Sequence, residues 1–398
     1  MKGYRATGMM VSIQGTSIVK GILFLIFCFI LLFTITGAIV SLKPEYRITS
    51  STIGNVATNL TGESLIHLLG YENRYFTQAL TDSSSKPNYA SAVFKAATNM
   101  NLDDPRSFLG RELPGFSIFD GKIIVAGEGT NYTNMPVESP PPLEVLLDER
   151  QAATQNIEQL ERPEDAEALP PPTMTTGDKK VVFIYHTHSY ESYLPHLKVG
   201  DDPNKAVHPE MNVTKVGEML GEELQARGIG SQVDTTNMKT YLDQKGYNWN
   251  QSYKASGELF VSAMGNNREL THFIDIHRDS KRKNDTTITI NGKEYARIAF
   301  VVGTDNPSYE KNVEIAKNLH QLLEKKFPGL SRGILDQGGP GNNGVYNQDK
   351  SNNAILIEFG GVDNNFEELR RTSAAVADVF AEYYWQAEKV NATDSSKE

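Results

Sequence analysis

The sequence predicts an α/β domain built on a mixed, mostly parallel sheet flanked by helices, preceded by a transmembrane helix and a small helical domain. Three observations predict it. Short apolar runs alternate with helix-period segments from Lys180 to about 392. The run Gly21–Leu42, GILFLIFCFILLFTITGAIVSL, holds 22 residues without a charge. Between the two lies a stretch, 136–179, with Pro140–Pro142 at one end, Pro170–Pro172 at the other and an acid-rich middle.

Taken in order, residues 1–20 read as a cytoplasmic N-terminus. They carry Lys2, Arg5 and Lys20 and no acid, so the positive-inside tendency keeps them in the cytoplasm and exports the chain beyond Lys43. At 1.5 Å per residue the Gly21–Leu42 run can cross a hydrocarbon core of about 30 Å. It is too long for a signal-peptide apolar region and ends in a poor cleavage site, so it reads as a retained signal-anchor. Residues 43–135 read as a small exported, largely helical domain, with Leu65, Leu69, Phe76 and Leu80 at helical spacing. The 136–179 segment reads as an extended, mobile linker.

From Lys180 the α/β pattern sets in. VVFIYH, 181–186, reads as a buried strand, and Val213, Val216, Leu220 and Leu224 mark a helix face ending at Gly228. HFIDIH, 272–277, is a second strand, reached through a helix around Leu259–Met264. Asn291-Gly292 between TTITI and KEYARIAFVVG signals a type I′ hairpin, whose antiparallel strands make the sheet mixed. Pro307 opens a helix with Val313, Ala316, Leu319, Leu323 and Phe327 on one face, and Pro328 closes it. AILIEFG, 354–360, is a third apolar strand. A last helix carries Phe366, Leu369, Val376, Phe380 and Tyr383, and 393–398 read as a disordered tail.

The 398 residues carry a net charge of −10, with 39 Lys plus Arg against 49 Asp plus Glu, which argues against a nucleic-acid binder. Without its basic tip of +3 the rest of the chain stands at −13. The single cysteine, Cys28, lies in the apolar run. That excludes a disulfide framework and any multi-cysteine metal site within one chain. Histidines and carboxylates are left to carry chemistry.

Three of the predicted strands end in such residues: His186-Thr187-His188-Ser189-Tyr190-Glu191, Asp275-Ile276-His277-Arg278-Asp279, and Glu358. In an open α/β sheet the carboxyl ends of parallel strands converge on the ligand site. Zinc catalysis takes about three nitrogen or oxygen ligands and leaves one position open. His188-x-x-Glu191 with His277 supplies such a set. A further carboxylate must take a proton from the attacking water and return it to the leaving amine, and Glu358 fits that role. Asp275 and Asp279 flank His277 and suit its second ring nitrogen. His186 is an alternative to His188, and His208 or Glu210 to Glu191. Two other readings stay open: a non-catalytic membrane-anchored scaffold for wall or partner proteins, and a glycosidase with the carboxylate pair Asp279 and Glu358.

The blocks YHTHSYESYLP (185–195), DIHRDS (275–280), AFVVG (299–303) and YNQDKSNNAILIEFGG (346–361) resemble the stage II sporulation protein P family, membrane-anchored peptidoglycan hydrolases of endospore-forming bacteria. The resemblance covers about 180 to 390, and the anchor, small domain and acidic linker fit it. It implies a fold like that of zinc-dependent N-acetylmuramoyl-L-alanine amidases and, more distantly, zinc exopeptidases. It further implies a Zn²⁺ cofactor, removal of stem peptides from glycan strands, and endopeptidase activity on cross-links. The implied partners are stage II sporulation protein D, a lytic transglycosylase, and stage II sporulation protein M, a membrane protein. The implied task is septal wall degradation and forespore engulfment, from the mother-cell membrane with the catalytic domain outside the cytoplasm. One departure stands out: amidases of this kind carry His-Gly-Gly after the first strand, whereas His188-Ser189-Tyr190-Glu191 is closer to the His-x-x-Glu of exopeptidases.

Overall fold

The computed structural model describes residues 70, 73, 75, 121–136, 170–338 and 342–395, with side chains through 387. The expected membrane span, the helical stretch at 52–101 and most of the expected linker lie outside the described residues. Among the described residues no helix is long and apolar enough to cross a membrane. The chain divides into Met1–Leu102 and Asp103–Glu398, and all the strands and helices named here belong to the second unit.

The strands are β1 (Lys122–Ala126), β2 (Val182–Tyr185), β3 (Ser231–Val233), β4 (His272–Asp279), β5 (Thr287–Ile290), β6 (Lys293–Ala296), β7 (Ile298–Val302), β8 (Ser331–Asp336) and β9 (Ala354–Gly361). The helices are α1 (Val213–Ala226), α2 (Met238–Lys245), α3 (Ser252–Asn266), α4 (Tyr309–Lys326) and α5 (Phe366–Ser395). Seven strands form one sheet in the order β1-β8-β7-β9-β4-β2-β3, and β5 pairs with β6 apart from it. The β8–β7, β9–β4, β4–β2 and β2–β3 pairs are parallel, and only β1–β8 and β7–β9 run antiparallel. The sheet is thus mixed and mostly parallel, as the alternation of strands and helices predicts.

The sheet is covered on both faces, and its central strands are buried throughout. On one face α1, α4 and α5 bury Val213, Val216, Leu220, Leu319, Leu323, Phe366 and Phe380 against Ile184, Ile274, Ile276, Ile355 and Ile357. Each such side chain contributes roughly 1.5–3 kcal/mol on leaving water. On the other face α3 sets Phe260 against Phe183, Tyr185 and Phe273. Helix α1 opens on Asn212, whose side chain accepts Thr214 N–H. It stops at Gly228, at φ +80°, where a Cβ would meet Met174 O at 2.1 Å.

The hairpin forms with Asn291 and Gly292 both left-handed, at φ 51° and 77°, as a type I′ turn requires. Its second arm does not run straight on. Arg297 N–H donates to Thr286 O, and the chain then leaves the hairpin to become β7 in the main sheet. The fold also starts earlier than the sequence pattern suggests. Residues 121–135, which that pattern assigns to a separate small domain, supply the edge strand β1 and bury Met135 against Ala299 and Leu335.

Candidate metal centre

Strands β2, β4 and β9 are parallel neighbours, so their carboxyl ends open on one edge of the sheet. From β2 the chain goes outward through α1 to β3, then returns past it to β4. The gap between β2 and β4 is therefore a topological switch point, where α/β sheets place their ligands.

His188 and Glu191 sit on the turn after β2, closed by Glu191 N–H donating to His188 O at 3.0 Å. Glu191 is held further by a bridge to Val207 and by Arg278 N–H, which donates to its Oε2 at 2.8 Å. Its Oε1 lies 3.6 Å from His188 Nδ1 and its Oε2 lies 3.7 Å from His277 Nδ1. The two imidazoles stand 4.9 Å apart, nearly perpendicular. Among the described residues these three form the one group whose ligand atoms all fall within 4.8 Å of one another. They are 7, 4 and 1 % exposed.

Burial alone would raise the Glu191 carboxyl. The imidazoles of His188 and His277 outweigh it and hold the group well below the ordinary carboxylate range. For His277 burial works toward a lower pKa, but Asp275 and Glu191 on its two sides overcome it and raise the imidazole well above its usual value. Glu191 and Asp275 bracket one imidazole inside the fold, an acidic surround that suits a cation. Two nitrogens and a carboxylate within reach of one another are the donor chemistry of a zinc site.

Asp275 flanks His277 as expected, its Oδ1 3.2 Å from His277 Nε2. Asp279 does not join it. The β4–β9 register shifts between His277 and Asp279, and the irregularity turns the carboxylate to Arg332, whose Nη1 donates to Oδ2 at 2.6 Å. Both groups are buried, so Asp279 is occupied by Arg332, which weighs against the alternative reading of a glycosidase pair with Glu358. His186 also points elsewhere. Its Nδ1 lies 2.9 Å from Asp234 O, and its Nε2 faces α1 at Gly217. His208 accepts Glu210 and Met211 N–H through Nδ1, closing its own turn. Glu210 is exposed.

Glu358 is the register partner of His277 on the neighbouring strand and lies on the same face, 3 % exposed. Arg278, on the opposite face, gives its guanidinium to the carbonyls of Ala206 and Asp279. Local pattern does not reveal the aromatic surround. Trp249 stacks on His188 at 5.4 Å, and Tyr253 stacks on His277 at 6.1 Å. They lie four residues apart, at helical spacing where the chain enters α3. That spacing was the available signal, and it reads equally well as core.

Among known families, the one described as Stage II sporulation protein P (SpoIIP) matches residues 103–381. "Stage II sporulation protein P" of Bacillus subtilis (strain 168) is 51% identical over 382 residues, covering 96% of this chain and 95% of that protein. Two solved structures show faint likeness. "Cwp6 from Clostridium difficile" has a TM-score of 0.30 and 16% identity over 51% of this chain and 29% of its own. A metallo-carboxypeptidase from Burkholderia cenocepacia has a TM-score of 0.32 and 13% identity over 54% and 60%. Both alignments span less than two thirds of the solved chain, and TM-scores this low carry no argument about fold or activity.

Proposed function

The chain belongs to the stage II sporulation protein P family, and from that premise we propose that it is a membrane-anchored, zinc-dependent peptidoglycan hydrolase of sporulation. Its reaction is that of an N-acetylmuramoyl-L-alanine amidase, with endopeptidase activity on cross-links. The observation that carries this reading is the buried His188–Glu191–His277 set at the sheet's switch point.

His188, Glu191 and His277 would hold the ion, and Asp275 would fix the His277 ring between them. Zinc bound there would supply a Lewis acid for the amide carbonyl and for the attacking water. Glu358 takes the proton from that water and delivers it to the departing alanine amine. Its place next to His277 in the register, at the open end of β9, supports that role. The anchor is assigned to Gly21–Leu42, and the stage II sporulation proteins D and M are the expected partners.

The test is mass spectrometry of wall digested by the full chain in detergent with Zn²⁺ present. Glycan strands freed of stem peptides, with new alanine amino groups and loss of activity under a chelator, are expected. New reducing sugar ends without free alanine would mark a glycosidase, and undigested wall would mark a scaffold. Either result contradicts the reading.

A further inference from the structure

Both oxygens of Asp275 are engaged, Oδ1 beside His277 as well as Oδ2. Thr187 donates to Oδ1 through its backbone N–H at 2.9 Å and reaches Oδ2 with its hydroxyl at 2.6 Å. The same hydroxyl lies 2.7 Å from Ser256 Oγ in α3. Asn347 Nδ2 in turn donates to Ser256 Oγ at 2.9 Å. Thr187, Ser256 and Asp275 are fully buried and Asn347 is 5 % exposed. Ser256 Oγ also lies 3.3 Å from Tyr253 O in its own helix. Asn347, Ser256, Thr187 and Asp275 thus form one continuous buried hydrogen-bonded chain.

We infer that Asn347, Ser256 and Thr187 are positioning residues, a buried hydrogen-bonded chain that holds the Asp275 carboxylate in place beside His277 and so sets the orientation of the His277 ring. The inference rests on the reading of His277 as a metal ligand, and it extends the site to Thr187 beside His188, Ser256 in α3 and Asn347 before β9.

The far end of the chain is built to hold its place. Tyr346 and Asn347 are consecutive left-handed residues, at φ 54° and 56°, a backbone choice that costs roughly 1–2 kcal/mol per non-glycine residue. It is held by Tyr346 N–H donating to Asn343 Oδ1 at 2.6 Å and Tyr346 OH donating to Gln337 O at 2.9 Å. Helix α3 comes close to this turn at Gly257, where a Cβ would meet Asn347 Oδ1 at 2.7 Å. The strained turn and the missing side chain together bring the Asn347 amide onto Ser256.

The test measures Zn²⁺ affinity of the full chain in detergent by competition with a chelating dye, with thermal unfolding followed by circular dichroism. Thr187→Val should bind zinc about 10–100-fold more weakly, the usual effect of losing support behind a metal-bound histidine. Ser256→Ala should weaken it in the same direction, and Thr187→Ser should restore wild-type affinity. Wild-type affinity in Thr187→Val overturns the inference and leaves the metal site standing. Equal weakening in Thr187→Ser assigns the effect to packing and likewise overturns it. A wild-type chain that binds no zinc overturns this inference and the metal reading together.

Discussion

Asp275, His277 and Asp279 alternate along one strand, so a regular β4 would turn all three to one face. The irregularity between His277 and Asp279 releases the last of them to Arg332. Because both charges are buried, removing one should cost about 3–5 kcal/mol. Arg332→Leu is expected to lower the urea midpoint sharply, and Asp279→Leu in the same chain to recover part of the loss. A double variant no better than the single one would contradict the pair's role. Glu358 is expected to behave in the opposite way. Glu358→Gln should slow wall hydrolysis by about 10²–10⁴-fold, the usual worth of a general base, while zinc content and stability stay unchanged. Loss of zinc in that variant would make it a ligand instead. The His188–Glu191 turn and the three strand ends were legible in the sequence, because a polar residue at the end of an apolar run needs a partner. Arg332, Ser256 and Asn347 were not legible. Their partners lie 53 to 91 residues away, and no local pattern records such a contact.

At the scale of elements, the same contrast holds. The Asn-Gly hairpin and the apolar faces of α1, α4 and α5 follow from short-range periodicity, and the structure has them in place. Strand β3 is only Ser-Gln-Val on an edge, and β8, SRGILD, carries Arg332 and a left-handed Gly333 at φ 103°. Neither shows the apolar run of a buried strand, so sheet pairing alone makes them strands. Helix α5 is docked by two histidines. His196 Nε2 accepts Phe366 N–H at 2.9 Å, capping the helix start, and His272 packs among Phe380, Tyr383 and Tyr384. Burial lowers each of them from 6.5 to about 4. A histidine depressed in the fold takes its proton first in the unfolded chain. Its contribution is therefore fully present above about pH 6.5 and is lost as the pH falls toward 4. Each shift corresponds to about 3 kcal/mol across that window. Urea midpoints measured along it should fall for the wild type and fall less for His272→Phe. Equal acid losses in the two would contradict the assignment.

For the whole molecule, the boundary that matters is the one before β1. Lys180 looks like the start of a self-sufficient domain, yet 121–136 is tied into it at several points. Arg332 donates to Asn134 O, Gln337 Nε2 to Pro136 O, Arg297 to Glu128 O and Lys281 to Thr133 O. A chain cut at Lys180 leaves the buried Arg332, Arg297 and Gln337 donors without those acceptors, at about 1–3 kcal/mol each. Residues 180–398 should therefore melt well below 103–398 and be digested faster by protease, and equal melting temperatures would contradict the integration of β1. The acidity of the chain takes on a location as well. At the site it is concentrated in buried Glu191, Asp275 and Glu358, the carboxylates proposed to hold, orient and act beside a cation. Elemental analysis of the full chain, purified in detergent and dialysed against trace-metal-free buffer, tests that site most directly. About one zinc per chain is expected in the wild type and in Glu358→Gln, and almost none in His277→Ala. A zinc-free wild type, or full occupancy in His277→Ala, would contradict it.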